Sequence, residues 1–154
     1  MEISNFYPLI SYLTAVISAQ AVKPFIVWKK TGKFDIEIAT ASGGFPSSHS
    51  AAVAATTTAI ALSQGLDSPL FVICLTFGII ACYDAANVRY YSGKNIQMTK
   101  TLVKDLKENT ELNLDNQIYS EKMKDVLGHT YFQMISGAIW GIVIAIIFYF
   151  VIYR

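Results

Sequence analysis

Charge is what this chain has least of. Only 15% of its 154 residues are Asp, Glu, Lys or Arg, against about 25% in an ordinary soluble domain. That deficit argues against a soluble globular protein of this length. An excess of one sign is also missing. The formal net charge is +1, which excludes the strongly basic surface of a nucleic-acid binder. Cysteine is scarce: Cys74 and Cys82 stand in one apolar run, out of mutual reach on a helix, so no disulfide framework is implied. No group of carboxylates, cysteines or histidines has metal-ligand spacing, and no cofactor is expected. No internal repeat or low-complexity tract is present.

What the chain does have is apolar length. Three segments, Phe6 to about Trp28, Pro69 to about Val88 and about Phe132 to Ile152, each reach the roughly 20 residues that a spanning helix needs. A fourth, Ser50 to Ser63, is shorter and rich in alanine and threonine. Such residues suit close helix–helix contact better than lipid contact, so this segment reads as an inner span entered through Pro46–His49. The first segment lacks a basic leading region, carries Glu2 and is followed by lysines, the wrong polarity for a cleaved signal. The expected fold is therefore all-α: a polytopic membrane bundle of about four transmembrane helices, forming one membrane-embedded domain over residues 1–154.

Basic residues set the orientation. Lys29, Lys30 and Lys33 follow the first span, and Arg89, Lys94, Lys100, Lys104, Lys107, Lys122 and Lys124 follow the third. The loop around Gln64–Ser68 has none. The positive-inside rule then places both basic loops in the cytoplasm and both termini on the other side of a plasma or inner membrane. Met98, Leu102, Val103 and Leu106 recur at helical spacing, which predicts a cytoplasmic amphipathic helix on the membrane face. Residues 109–117 read as a turn, and Ser120–Leu127 as a short helix ended by Gly128.

On this map the unusual polar residues gather at one membrane face. Lys23 lies near the end of the first span, Ser47, Ser48 and His49 open the second, Asp84 and Arg89 close the third, and His129 opens the fourth. These residue types support phosphate chemistry. A helix N-terminus binds anions, and Pro46 suits its first position. Gly43 and Gly44 let backbone approach a ligand closely, and Ser47 and Ser48 add hydroxyls. Lys23 and Arg89 neutralise phosphate oxygens, Arg89 with a planar fork. Two histidines, with ordinary pKa about 6.5, can act as nucleophile and general acid. Each residue also has a plainer reading: Lys23 and Arg89 can snorkel to the interface, Asp84 and His129 can serve helix ends, and the Gly43–His49 segment can be a reentrant turn with a helix cap. On an α-helix Asp84 and Arg89 stand about 140° apart, so they need not share a face. Gly137 and Gly141 form a G-x-x-x-G pair assigned to packing.

The blocks "SGGFPSSHSAAV", "DAANVRYYSG", "VLGHTYFQ" and "AQAVK" resemble the divergent branch of the type 2 phosphatidic acid phosphatase superfamily over nearly the whole chain. The resemblance implies a metal-independent mechanism with a phosphohistidine intermediate. By position it makes His129 the nucleophile and His49 the acid, with Lys23, Arg89 and the Pro46–His49 block holding phosphate. Gln133 stands four residues after His129, where the branch typically has Glu, and Asp84 is an alternative carboxylate. Asn87 and Tyr90 replace a Gly and an Arg of the branch pattern, and Tyr131 replaces a Pro.

The expectation is an integral membrane lipid-phosphate phosphatase acting at the cytoplasmic face. Its partners would be the bilayer and a lipid phosphate substrate, with no nucleic acid, and a homo-oligomer is left open. The alternative is a non-catalytic relative that binds phospholipid or a membrane partner through the same cradle. A channel or transporter subunit fits less well, because the polar residues crowd one face instead of lining a path.

Overall fold

The computed structural model describes residues 3–40, 44–109 and 130–153. After a 3₁₀ turn at Ile3–Phe6, helix α1 runs over Tyr7–Thr31 with a proline in its first turn. It stops at Gly32, whose left-handed backbone (φ 73°) returns its N–H to the Trp28 carbonyl at 2.8 Å, a helix stop that glycine makes without Cβ strain. Lys29 and Lys30 sit in that last turn, where cations complement the helix dipole. A 3₁₀ turn over Ile36–Ala39, capped by Asp35, leads towards α2 (Ser48–Gln64). Ser68 and Pro69 start α3 (Pro69–Tyr83), a π turn follows at Asp84–Val88, and α4 continues over Arg89–Asn109. The last helix, α5, covers Tyr131–Ile152. The expected all-α membrane bundle is what the chain forms, and among the described residues three helices are long and apolar enough to cross a membrane: Ser4–Thr31, Pro69–Asn109 and Tyr131–Ile152.

Helix α2 is the inner element, packing against α1, α3 and α5, and α1 also packs on α5. Its alanines explain the position. Ala51, Ala55 and Ala59 are fully buried together with Ala15 and Ala19 of α1 and Ala145 of α5. Small side chains let backbones approach closely, which matters where lipid removes the hydrophobic drive for helix association. Backbones approach closely at Gly137 and Gly141. A methyl on Gly137 would collide with the Ser47 carbonyl, and one on Gly141 with the carbonyl of Ala51. Polar contacts join α1 to α5: Tyr7 donates to the Ala145 carbonyl at 2.7 Å, and Trp140 Nε1 to Ser18 Oγ at 2.9 Å. Large apolar side chains, including Phe77, Ile80, Ile139 and Phe150, point outward, as lipid contact requires.

Two expectations change. The third span does not close at Arg89: the amphipathic segment is continuous with it, because the π turn passes the helix on without a break. Over most of its length α4 is exposed. Pro46 is not the first residue of α2. Ser47 caps that helix, and Pro46 precedes it across a cis Phe45–Pro46 bond. The expected turn at 109–117 falls almost wholly outside the described residues, and the helix at Ser120–Leu127, Gly128, His129 and Gly43 lie outside them altogether.

Candidate functional site

The C-terminal part of α1, the start of α2, the π turn and the start of α5 meet at one end of the bundle, tied by contacts between residues distant in sequence. Lys23 is 1% exposed, buried on α1 beside Pro24. Gly44 lies over its stem: a Cβ on Gly44 would stand 3.7 Å from Lys23 Cδ, and its φ of 83° is one that favours glycine. Phe45 stacks on Phe132 of α5, with ring centroids 5.4 Å apart. One residue after Pro46, the Ser47 N–H donates to the Gln133 carbonyl at 3.1 Å. The loop before α2 is thus clamped between α1 and α5.

Ser47 caps α2. Its hydroxyl accepts from the Ser50 N–H at 3.3 Å and from Ser50 Oγ at 3.1 Å, and the residue is fully buried. Ser47, named from the sequence as a phosphate-binding hydroxyl, is the N-cap of α2, an arrangement serine favours. The Ser47 side chain and carbonyl take the Ser50 and Ala51 amides, while the Ser48 and His49 amides fall outside the intrahelical ladder, as first-turn amides do. Ser48 is buried at this mouth and His49 is partly open to solvent. Partial burial, then the positive charges of Arg89 and Lys23, hold the His49 imidazole below its ordinary value. The histidine therefore feels both cations, which come from two other helices.

Arg89 and Asp84 do share a face. Arg89 Nε donates to Asp84 Oδ2 at 2.7 Å. The cause is the π turn, in which the Arg89 N–H reaches the Asp84 carbonyl. Its wider turn brings residues five apart into line, and such turns frequently accompany functional sites. Asp84 thus orients Arg89.

Gln133 is likewise committed. With Thr130 it forms a capping box: Thr130 N–H donates to Gln133 Oε1 at 3.0 Å, and Gln133 N–H to Thr130 Oγ1 at 3.3 Å. Tyr131, in the same first turn of α5, donates its hydroxyl to Asn87 Oδ1 at 2.7 Å, and Asn87 Nδ2 donates to the Tyr83 carbonyl at 3.2 Å. The start of α5 is thereby bonded to the π turn that carries Asp84 and Arg89.

A family model described as the divergent PAP2 family matches residues 4–144. The chain belongs to the divergent PAP2 family. It is 36% identical over 152 residues to the protein named as uncharacterized membrane protein YuiD of Bacillus subtilis (strain 168), a match that covers 96% of each chain. No solved structure matches it significantly. This divergent PAP2 chain is a multi-pass membrane protein in which Lys23 packs against Gly44 before α2, His49 stands in the first turn of α2, and Asp84 pairs with Arg89. Of the residues named from the sequence, Ser47 and Gln133 hold the fold at that mouth. Missed as a pair were Asn87 and Tyr131. Each is visible as a departure from the branch pattern, but 44 positions separate them and nothing local links them. Thr130-x-x-Gln133 does carry a readable signal, the S/T-x-x-E/Q box.

Proposed function

We propose that this protein is a lipid-phosphate phosphohydrolase of the membrane, with its site at the cytoplasmic face and its termini on the far side. The observation that supports the reading is that Lys23 packs against Gly44 just before α2, while His49 in the first turn of α2 feels the charges of both Lys23 and Arg89, the latter paired with Asp84. An oxyanion there meets two cations and a helix N-terminus, an arrangement suited to phosphoryl transfer, where catalysis is mostly positioning and charge stabilisation.

In the proposed reaction a nitrogen of His129 attacks phosphorus, and the bond from phosphorus to the lipid oxygen breaks. His49 gives its proton to that leaving oxygen. A water, losing its proton to His49, then attacks the phosphohistidine, freeing inorganic phosphate and restoring His129. Lys23 and Arg89 hold the non-bridging oxygens throughout, and Asp84 keeps the guanidinium in place. Release of phosphate from a panel of lipid phosphates by the purified protein tests this. Turnover that survives EDTA and stops with vanadate is expected, whereas activity lost on chelation and restored by Mg²⁺ overturns the mechanism. For orientation, Lys104→Cys in a chain lacking Cys74 and Cys82 should stay unlabelled by an impermeant reagent in intact cells, and labelling there reverses the topology.

Gln133 favours a second reading, a non-catalytic phospholipid binder. Its side-chain oxygen accepts from Thr130, and an amide adds no negative charge to stabilise a cationic imidazole. Absence of turnover with retained binding of lipid phosphate would select it.

A further inference from the structure

A cavity of about 470 Å³ opens between α2, α3 and α5, with walls that include Val53, Thr58, Leu75, Gly78 and Cys82. Its size falls within the roughly 300–1,000 Å³ range of ligand sites. Most of its lining is apolar, and its polar end is distinctive: Tyr83, Asn87 and Tyr131 all border it. Asn87 and Tyr131 are the bonded pair that ties the π turn to α5, and Tyr131 stands in the same first turn of α5 as Gln133, whose carbonyl accepts the Ser47 N–H at the start of α2. The groove therefore begins at the end of the bundle where α2 starts.

Its other end lies in the middle of the bundle. Along α5 it runs from Tyr131 to Ile142, about 16 Å at the helical rise per residue. One leaflet of a bilayer contributes about half of a hydrocarbon core roughly 30 Å thick. The groove is thus as deep as one leaflet and starts at headgroup level.

We infer that this groove holds one hydrocarbon chain of a lipid phosphate whose headgroup lies between Lys23 and Arg89. The inference rests on the phosphate site proposed above and names the other half of its ligand. Charge selects the occupant: a neutral lipid gains nothing from the cations at the groove mouth, and a short soluble phosphate gains nothing from the groove. With the chain seated, the phosphate is delivered to the mouth from the side of the bilayer. The Tyr131–Asn87 bond forms the wall where chain gives way to headgroup.

Filling the groove tests this without touching the phosphate site. Cys82→Phe and Thr58→Phe each place a ring in it from a different helix, and thermal melts check that both fold. Hydrolysis of hexadecyl phosphate and of nitrophenyl phosphate is then compared. The variants should lose at least about tenfold in kcat/KM on the long-chain ester, the scale on which misplaced reacting groups lose rate, while the short ester is hydrolysed as by wild type. Equal effects on both esters, or none on either, overturn the inference. A second readout needs no turnover: hexadecyl phosphate with a terminal diazirine, photolysed on the protein, and the same chain ending in an alcohol. The phosphate probe should label Val53, Thr58, Leu75 or Ile79, and vanadate or Cys82→Phe should suppress the label. Equal labelling by the alcohol, insensitive to vanadate, shows ordinary lipid contact and overturns the inference. Specific labelling by a protein that hydrolyses neither ester upholds the groove and removes the hydrolase reading.

Discussion

Arg89 and Asp84, five positions apart, form an ion pair of 2.7 Å because a π turn replaces the α-helical one between them. Both side chains remain partly exposed, Arg89 by 58% and Asp84 by 38%. The pair therefore adds little stability and instead fixes where the guanidinium fork points. Arg89→Lys should lower kcat/KM on a phosphate ester by about 10–100-fold, the loss expected when a charged bidentate contact becomes a point charge. Asp84→Asn should cost less, since the arginine stays but loses its orientation. Initial rates for both variants check this, with unchanged thermal melts excluding misfolding. An Arg89→Lys variant at wild-type rate would remove Arg89 from the site.

His49 gives a pH prediction. Burial and the charges of Arg89 and Lys23 lower its pKa in the folded chain. A folded chain that holds a proton less tightly than the unfolded one is stabilised above the unfolded value of about 6.5 and loses that contribution as pH falls through the lowered value. In a His129→Ala background, a nuclear magnetic resonance titration of the remaining imidazole should give a midpoint below about 6.5. Sulfate, a dianion across this range, should raise the midpoint by offsetting the two cations. A midpoint at or above the ordinary value, unmoved by sulfate, would separate His49 from Lys23 and Arg89.

Gly137 and Gly141 should differ in their effects. Gly141→Leu drives a side chain into the Ala51 backbone and should destabilise the bundle by about 1–3 kcal/mol or more, as overpacking does. Gly137→Ala presses on the Ser47 carbonyl, and Ser47 caps the helix that opens the site. Its loss of activity should therefore exceed what its melting shift accounts for. Melting temperature and initial rate, measured together, separate the two. Wild-type values for Gly137→Ala would show that α2 and α5 do not approach as described.

Length and small-residue content made the bundle legible. The long apolar runs marked three spans, the alanines and threonines of Ser50–Ser63 marked the inner helix, and the spacing of Gly137 and Gly141 marked a close contact. Antiparallel spans must return to the same face, which is why the sequence assigns Lys23, His49 and Arg89 to one end of the bundle. The π turn was not: one extra residue per turn leaves no pattern in side-chain types, so Asp84 and Arg89 read as facing different ways. Nor was the division of labour among the serines, because a capping hydroxyl and a phosphate-binding one are the same residue type before a helix. Ser50, three positions on, decides that Ser47 is a cap.

If phosphate passes through His129, a phosphoenzyme can be trapped. Wild type, Gln133→Glu, His49→Ala and His129→Ala are incubated with radiolabelled lipid phosphate, quenched in alkali and counted for protein-bound label that acid releases. Glutamate also suits the N3 position of a capping box, so Gln133→Glu should fold and should match or exceed wild type in rate. His49→Ala should turn over about 10²–10⁴-fold more slowly, as expected for loss of a general acid. Wild type should carry acid-labile label and His129→Ala none, together with loss of phosphate release. Full-rate phosphate release by His129→Ala would contradict passage of phosphate through His129.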